Sequence, residues 1–252
     1  MKEAIVNDYV NNYIGTMELS RKYGVSRTTI QRYLINSNVR LRKRTPKIKV
    51  NHFYFSEYNK NNCYWAGFIL ADGYIRTNKR FTLEIKLQKN DVNQLVKFKK
   101  MINYEGRVIE RKTYYSLTIS SQQIIEDLKN NFDILNKKSL TCFVSDKIPD
   151  KYHMDFICGY FDGDGSVTYT TTDTISFSGT KETLNFIRNH FFDLGIKLRS
   201  KDMPQITKNG NVYAIFYSGI SAFKCLKLMY DNSTTYLDRK YVKYSCLIEK
   251  YE

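Results

Sequence analysis

No apolar run in this chain approaches the ~18 residues that a membrane-spanning helix needs, and Met1-Lys2-Glu3 leads into no apolar signal core. The chain is therefore expected to avoid membranes and to remain intracellular, in cytoplasm or an organelle matrix, without being secreted. Histidine is scarce: three residues at positions 52, 153 and 190 are too scattered for an H-E-x-x-H site or a histidine-centred nuclease cluster. The five cysteines, Cys63, Cys142, Cys158, Cys225 and Cys246, form no C-x-x-C pair and sit mostly in apolar patterns, so they read as reduced core residues and zinc is not expected. Acidic residues are the scarcer charge, 25 against 40 Lys and Arg, for a net charge of +15. That balance favours a polyanionic partner.

What is present is a core. With 42% hydrophobic and 15% aromatic residues, 252 residues can bury enough surface for one or two domains. The charge is uneven, because residues 1–50 hold 11 Lys and Arg against 3 Asp and Glu, over half of the total net charge. This asymmetry predicts a separate module at residues 1–39. Thr16 to Leu34 reads as helix, Gly24-containing turn and helix, with Ser26 as the second N-cap and Leu19, Tyr23, Val25, Ile30 and Leu34 as a small core. An amphipathic run from Ala4 to Tyr13 completes a three-helix, all-α unit. Arg27, Thr28, Gln31 and Arg32 then face outward near the start of the last helix, where a helix-turn-helix protein reads the major groove. Arg40 to Lys47 is dense in charge, and Pro46 interrupts helix, which marks residues 40–59 as a basic linker. Its Arg42, Lys43 and Arg44 are candidates for phosphate contacts.

Beyond the linker, two nine-residue stretches share one design: Trp65-Ala-Gly-Phe-Ile-Leu-Ala-Asp72-Gly73 and Ile157-Cys-Gly-Tyr-Phe-Asp-Gly-Asp164-Gly165. Each is an apolar, small-residue helix ending in Asp-Gly. Gly67 and Ala71, like Gly159 and Gly163, are four apart and share a helix face, so two such helices can approach closely. Packed together, they would bring Asp72 and Asp164 to one end of the pair. Each carboxylate there opposes the helix dipole at a cost of roughly 0.3–1 kcal/mol, and the two repel; a divalent cation relieves both penalties.

These paired stretches resemble the signature of the LAGLIDADG homing endonucleases in their single-chain, two-motif form. Leu70 departs from the first Asp of that signature in the first motif, whereas Asp162 retains it in the second. The resemblance implies an α+β fold: two pseudo-twofold αββαββα repeats, residues 60–147 and 148–252, with antiparallel DNA-binding sheets. The periodicity agrees, since the two aspartates lie 92 residues apart and Phe81 to Gln88 alternates strictly between an apolar and a polar face. In the second repeat strands are expected at 167–170, 174–178, 196–201 and 212–217, and helices at 180–192 and 222–230.

Phosphodiester hydrolysis needs an activated water, neutralised phosphate charge and a stabilised leaving oxygen, all of which carboxylate-held hard cations can supply. The resemblance assigns Asp72 and Asp164 as metal ligands; the backbone carbonyls of Ala71 and Gly163 are expected to assist. Two or three Mg²⁺ ions are expected, with Mn²⁺ able to substitute. It also implies a lysine near each site, Lys138 and Lys240, with Lys137 and Arg239 as one-residue competitors, and a water-ordering Gln88 whose counterpart falls near Gly179. Arg76, Lys86, Gln88, Lys197, Arg199 and Lys201 are expected on strand faces that lie in the major groove. The calcium-loop reading of Asp162 to Ser166 fails, because Val167 stands where glycine is required. The expected activity is site-specific cleavage of double-stranded DNA by a free-standing monomer, in the manner of proteins that carry intron mobility. No small-molecule substrate is expected. The alternatives are a non-cleaving DNA-binding regulator and an RNA maturase on the same scaffold.

Overall fold

A computed structural model describes the chain except residues 11, 13, 40, 42–47, 79, 136–142, 170–171, 199–201 and 211, and divides it into two units, Met1–Lys49 and Val50–Glu252.

The first unit is all helix: α1 (Lys2–Val10), α2 (Thr16–Tyr23) and α3 (Arg27–Asn36). Helix α2 ends at Gly24, whose φ of 65° is the left-handed conformation glycine adopts without a Cβ penalty. Ser26 then caps α3 by accepting from the Thr29 N–H at 3.1 Å. Ile5, Tyr9, Leu19, Ile30 and Leu34 form the core. The one buried anion is fully answered: Asp8 accepts from Lys22 at 2.7 Å, Tyr23 at 2.7 Å and Asn12 at 2.8 Å. Lys22 above all, then Tyr23 and Asn12, hold its carboxyl at about 2. Its contribution to stability is thus complete above the ordinary carboxylate pKa and lost only as pH falls through about 2.

The second unit contains two copies of one plan. The first runs α4 (Lys60–Asp72), β1 (Gly73–Arg76), β2 (Thr82–Gln88), α5 (Val92–Met101), β3 (Ile109–Glu110), β4 (Tyr114–Ser120) and α6 (Gln122–Phe132). The second runs α7 (His153–Asp164), β5 (Gly165–Tyr169), β6 (Asp173–Gly179), α8 (Lys181–Asp193), β7 (Thr207–Asn209), β8 (Val212–Ser218) and α9 (Ile220–Tyr230), followed by α10 (Asp238–Tyr251). Each copy makes an antiparallel four-stranded sheet in the same order, β1-β2-β4-β3 and β5-β6-β8-β7. Leu83, Ile85 and Leu87 turn inward from β2, as Ile175 and Phe177 do from β6. The alternate residues remain on an open face.

Helices α4 and α7 are apolar on every side and correspondingly buried, which is the pattern of an internal helix. Their contact is set by glycine. A Cβ added at Gly159 would lie 1.8 Å from the Tyr64 carbonyl oxygen, and one at Gly67 would lie 2.0 Å from that of Phe156. At the far end a Cβ at Gly163 would meet that of Ala71 at 2.3 Å. The small-residue register expected from the sequence is therefore the register of the pair.

The structure revises three expectations. Val50 onward belongs to the second unit and Phe55 is fully buried in its core, so the linker does not extend to residue 59. Residues 196–198 follow the turn at Gly195 (φ 82°) and form no strand; the third strand of the second repeat is β7, farther along. Helix α10 was not anticipated, because the repeat pattern closes at α9. Gly159→Ala should therefore destabilise the full chain by about 3 kcal/mol, because two backbones must part to admit one methyl group; urea unfolding measures it.

Candidate metal and nucleic-acid site

Asp72 is the last residue of α4 and Asp164 the last of α7, and in both cases the next residue opens a strand without a loop. The reversal is too tight for a side chain. A Cβ at Gly73 would lie 2.7 Å from the Ile69 carbonyl oxygen, and one at Gly165 would lie 2.2 Å from the Phe161 ring. This is why Asp is followed by Gly in both motifs. Asp72 is half-buried and Asp164 exposed.

The two helix ends abut. A Cβ at Gly163 would be 3.4 Å from Oδ2 of Asp72, so the Asp72 carboxylate lies against the backbone that immediately precedes Asp164. The absence of a side chain at Gly163 leaves room for it. Among the described residues no group of three or more His, Cys, Asp or Glu side chains is placed to hold a metal. The donor set is then a pair of hard carboxylates with adjacent backbone carbonyls. It suits a hard cation whose remaining ligands come from outside the protein.

Lys240 sits in α10 and is completely buried. Its ammonium donates to the carbonyls of Phe161, Asp162 at 3.0 Å and Gly165 at 2.5 Å. Those carbonyls flank Asp164 at the negative end of α7, where a cation is favoured by the dipole. Burial pushes the Lys240 pKa down to about 8, while Asp162, and more weakly Asp72 and Asp164, pull it up. It is therefore mainly charged at neutral pH. With its three donors occupied, Lys240 fixes the turn that carries Asp164 and does not point to water, which revises the expectation of a water-polarising lysine. Lys138 and its competitor Lys137 lie outside the described residues.

A second buried group ties the site together. Asp162 accepts from Tyr64 at 2.5 Å, Tyr230 at 2.7 Å and the Leu237 N–H at 2.7 Å. Gln94 in turn donates to Tyr64 Oη at 2.6 Å. Burial raises the Asp162 carboxyl above its ordinary pKa, against the opposing pull of Lys240 and these hydrogen bonds. The retained Asp of the second motif is thus a structural carboxyl group joining both repeats. Leu70 holds the first motif's equivalent position and is buried. Tyr64, Gln94 and Tyr230 escaped sequence reasoning; the one available signal was an aspartate retained in one motif only.

Gln88 is exposed and donates to Asp91 at 2.8 Å. Asp91 is buried and paired with Arg239 of α10, both oxygens lying 3.0 Å from Nε. Arg239 is therefore a clamp between the first repeat and the C-terminal helix. Gly73 pairs with Ile85, and Gly165 with Phe177, an identical offset in the two repeats. That register makes Thr180 the counterpart of Gln88, one residue beyond the expected Gly179. Likewise Lys86 corresponds to Ser178.

On the open face of the first sheet Arg76 donates to Glu84 at 3.1 Å, and Lys86 lies 3.5 Å from the same carboxylate. Lys197 is exposed but lies off the sheet, 3.4 Å from Asp202. Arg199 and Lys201 are outside the described residues, as are Arg42, Lys43 and Arg44. In the first unit Arg27, Thr28 and Arg32 are exposed and Gln31 is half-buried; Arg27 Nε donates to Thr16 at 3.2 Å.

The family model described as the WhiA LAGLIDADG-like domain matches residues 61–148. No curated protein sequence matches the chain. Among solved structures, the LAGLIDADG meganuclease I-AabMI bound to uncleaved DNA is 14% identical, with a TM-score of 0.50 over 77% of this chain and 92% of the other. I-CpaMI, likewise bound to uncleaved DNA, is 14% identical with a TM-score of 0.51 over 75% and 90%. The meganuclease I-SmaMI bound to uncleaveable DNA with a TTCT central four is 12% identical, with a TM-score of 0.50 over 74% and 89%. The fold is the two-repeat LAGLIDADG fold. No helix among the described residues is long and apolar enough to cross a membrane.

Replacing the buried ammonium by the uncharged thioether of methionine, of similar length, would leave three carbonyls bare. Lys240→Met should cost at least about 2 kcal/mol in urea unfolding, because buried acceptors without donors carry their full desolvation penalty. A surface lysine would change stability by no more than about 0.5 kcal/mol.

Proposed function

We propose that this chain, built on the two-repeat LAGLIDADG fold, is a site-specific double-strand DNA endonuclease dependent on divalent metal. The observation that carries the reading is the junction at the end of the α4/α7 pair. Two aspartates close two abutting helices, and Asp72 occupies the space left by Gly163. The helix dipoles disfavour a carboxylate at the C-terminal end of either helix. A hard cation would resolve that conflict.

Asp72 and Asp164 would hold the metal, with the carbonyls of Ala71 and Gly163 adjoining. Two or three Mg²⁺ ions, or Mn²⁺ in their place, would supply charge neutralisation and an activated water. The protein's own part is positional. Lys240 holds the carbonyls around Asp164 in place, and the Asp162 network fixes α7 against α9 and the start of α10. Gln88 and Lys86 of the first repeat have Thr180 and Ser178 in the equivalent places of the second. The open sheet faces would lie in the major groove, and α3 of the N-terminal unit would extend the contacted site through Arg27, Thr28, Gln31 and Arg32. Similarity to meganucleases bound to uncleaved DNA supports DNA as the partner.

A second reading, a DNA-binding regulator that does not cut, is favoured by one observation: the family model that matches residues 61–148 is that of the WhiA LAGLIDADG-like domain. Cleavage separates the two. The full chain incubated with Mg²⁺ and a library of duplexes should cut a small set at one position, and excess chelator should stop it; binding without any cutting would establish the regulator instead.

Asp72→Asn and Asp164→Asn should each abolish double-strand cutting of that site while its affinity in EDTA changes less than threefold, since neither carboxylate is assigned to bases. Arg27→Ala should leave cutting at saturating protein intact and relax discrimination at base pairs to one side of the cut, by about 1–3 kcal/mol if the contact is bidentate. An unchanged sequence profile would make the first unit a passive cap.

A further inference from the structure

The open faces of the two sheets differ in chemistry although their strand order and register are the same. On the first, two cations converge: Arg76 lies over the Tyr74 ring at 5.1 Å and Lys86 over the Tyr114 ring at 5.7 Å, with Glu84 between them. Both are about half exposed, at 57% and 50% for the side chains. Each cation is held by a ring and a carboxylate, which lowers the entropy lost when it meets a base edge or a phosphate.

On the second, the described open-face positions of β5, β6 and β8 carry no charged side chain. Hydroxyls pair with one another across the strands: Ser166 with Ser176 at 2.7 Å, and Thr174 with Ser218 at 3.3 Å. Phe216 stands directly opposite Ser176 and is 47% exposed. An aromatic ring on a solvated strand face, among hydroxyls already satisfied, gains by covering an apolar group. In the major groove only one base offers such a group on its edge, the C5-methyl of thymine.

Resting on the DNA-binding reading above, we infer that the two sheets read half-sites of different composition. The second sheet selects an A·T-rich half-site with a thymine methyl against Phe216. The first selects a guanine-containing half-site through Arg76 and Lys86. The same contrast makes the first half the more salt-sensitive one, because among the described open-face positions of β1, β2 and β4 and of β5, β6 and β8 cations stand on the first sheet alone.

The test uses the full chain in EDTA and random-sequence duplexes, from which a bound consensus is selected. Arg76→Ala identifies the half-site under the first sheet as the one whose preference it relaxes. Thymines in each half are then replaced by deoxyuridine, which removes the methyl and keeps the base pair. Deoxyuridine in the second half should weaken binding about fourfold at the position facing Phe216, the worth of one buried methyl group, and should change binding little in the first half. Phe216→Ser should abolish this sensitivity and Phe216→Leu should retain it; both should fold, since the ring is half exposed. A consensus whose second half is G·C-rich, or is indifferent to deoxyuridine, overturns the inference and leaves DNA binding standing. Failure to select any consensus overturns the DNA-binding reading, and the inference with it.

Discussion

The close approach of α4 and α7 is the constraint on which the second unit depends. Backbone meets backbone at Gly67 and Gly159, where a single methyl group would fall within 2.0 Å of a carbonyl oxygen. Such a contact permits one register only, because sliding either helix by a residue replaces a glycine with a residue that carries a Cβ: Ala66 or Phe68, Cys158 or Tyr160. The register aligns the helix ends, and the helix ends carry the aspartates. The packing requirement thereby sets where the aspartates lie: Asp72 rests against Gly163, the residue before Asp164, because the glycines above them bring the helices together.

Around that junction the protein invests buried polarity. Asp162 and Lys240 are ionisable groups without solvent, an arrangement that is tolerable only when every donor and acceptor is matched. Three donors answer Asp162, and three carbonyls answer Lys240. The cost of breaking either set makes the turn from α7 into β5 rigid, and a rigid turn is what the metal-binding role proposed for the exposed Asp164 would require. Arg239, one residue away, performs the same service for the first repeat by gripping Asp91 beside Gln88.

Duplication supplies the plan, and divergence supplies the asymmetry. Leu70 against Asp162, Lys86 against Ser178 and Gln88 against Thr180 occupy corresponding places with different chemistry. A single chain is free to differ between its halves in a way a symmetric dimer is not. The charged face on one sheet and the hydroxyl-and-phenylalanine face on the other are the largest expression of that freedom.

Much of this was legible from residues alone, for local reasons. The alternation in β2, the Ser26 cap, the Gly24 turn and the pairing of Gly67 with Ala71 and of Gly159 with Gly163 are short-range signals, and the elements they imply are the elements present. The aspartate pair could be named because two helices of one pattern have few ways to bury themselves except against each other. What remained illegible was long-range. The resemblance placed Lys240 near the second site, but nothing within α10 says that its ammonium reaches carbonyls some 75 residues earlier. Asp162, Tyr64 and Tyr230 come from three distant segments, so their hydrogen bonds exist only after the helices have packed. Of the strand expected at 196–201, the described residues 196–198 form no strand, because alternation over so short a stretch does not outweigh the tertiary pairing of β8, which took Thr207–Asn209 as its partner. Periodicity determined which face of each element is apolar; only the packed fold decided which polar groups those faces enclosed.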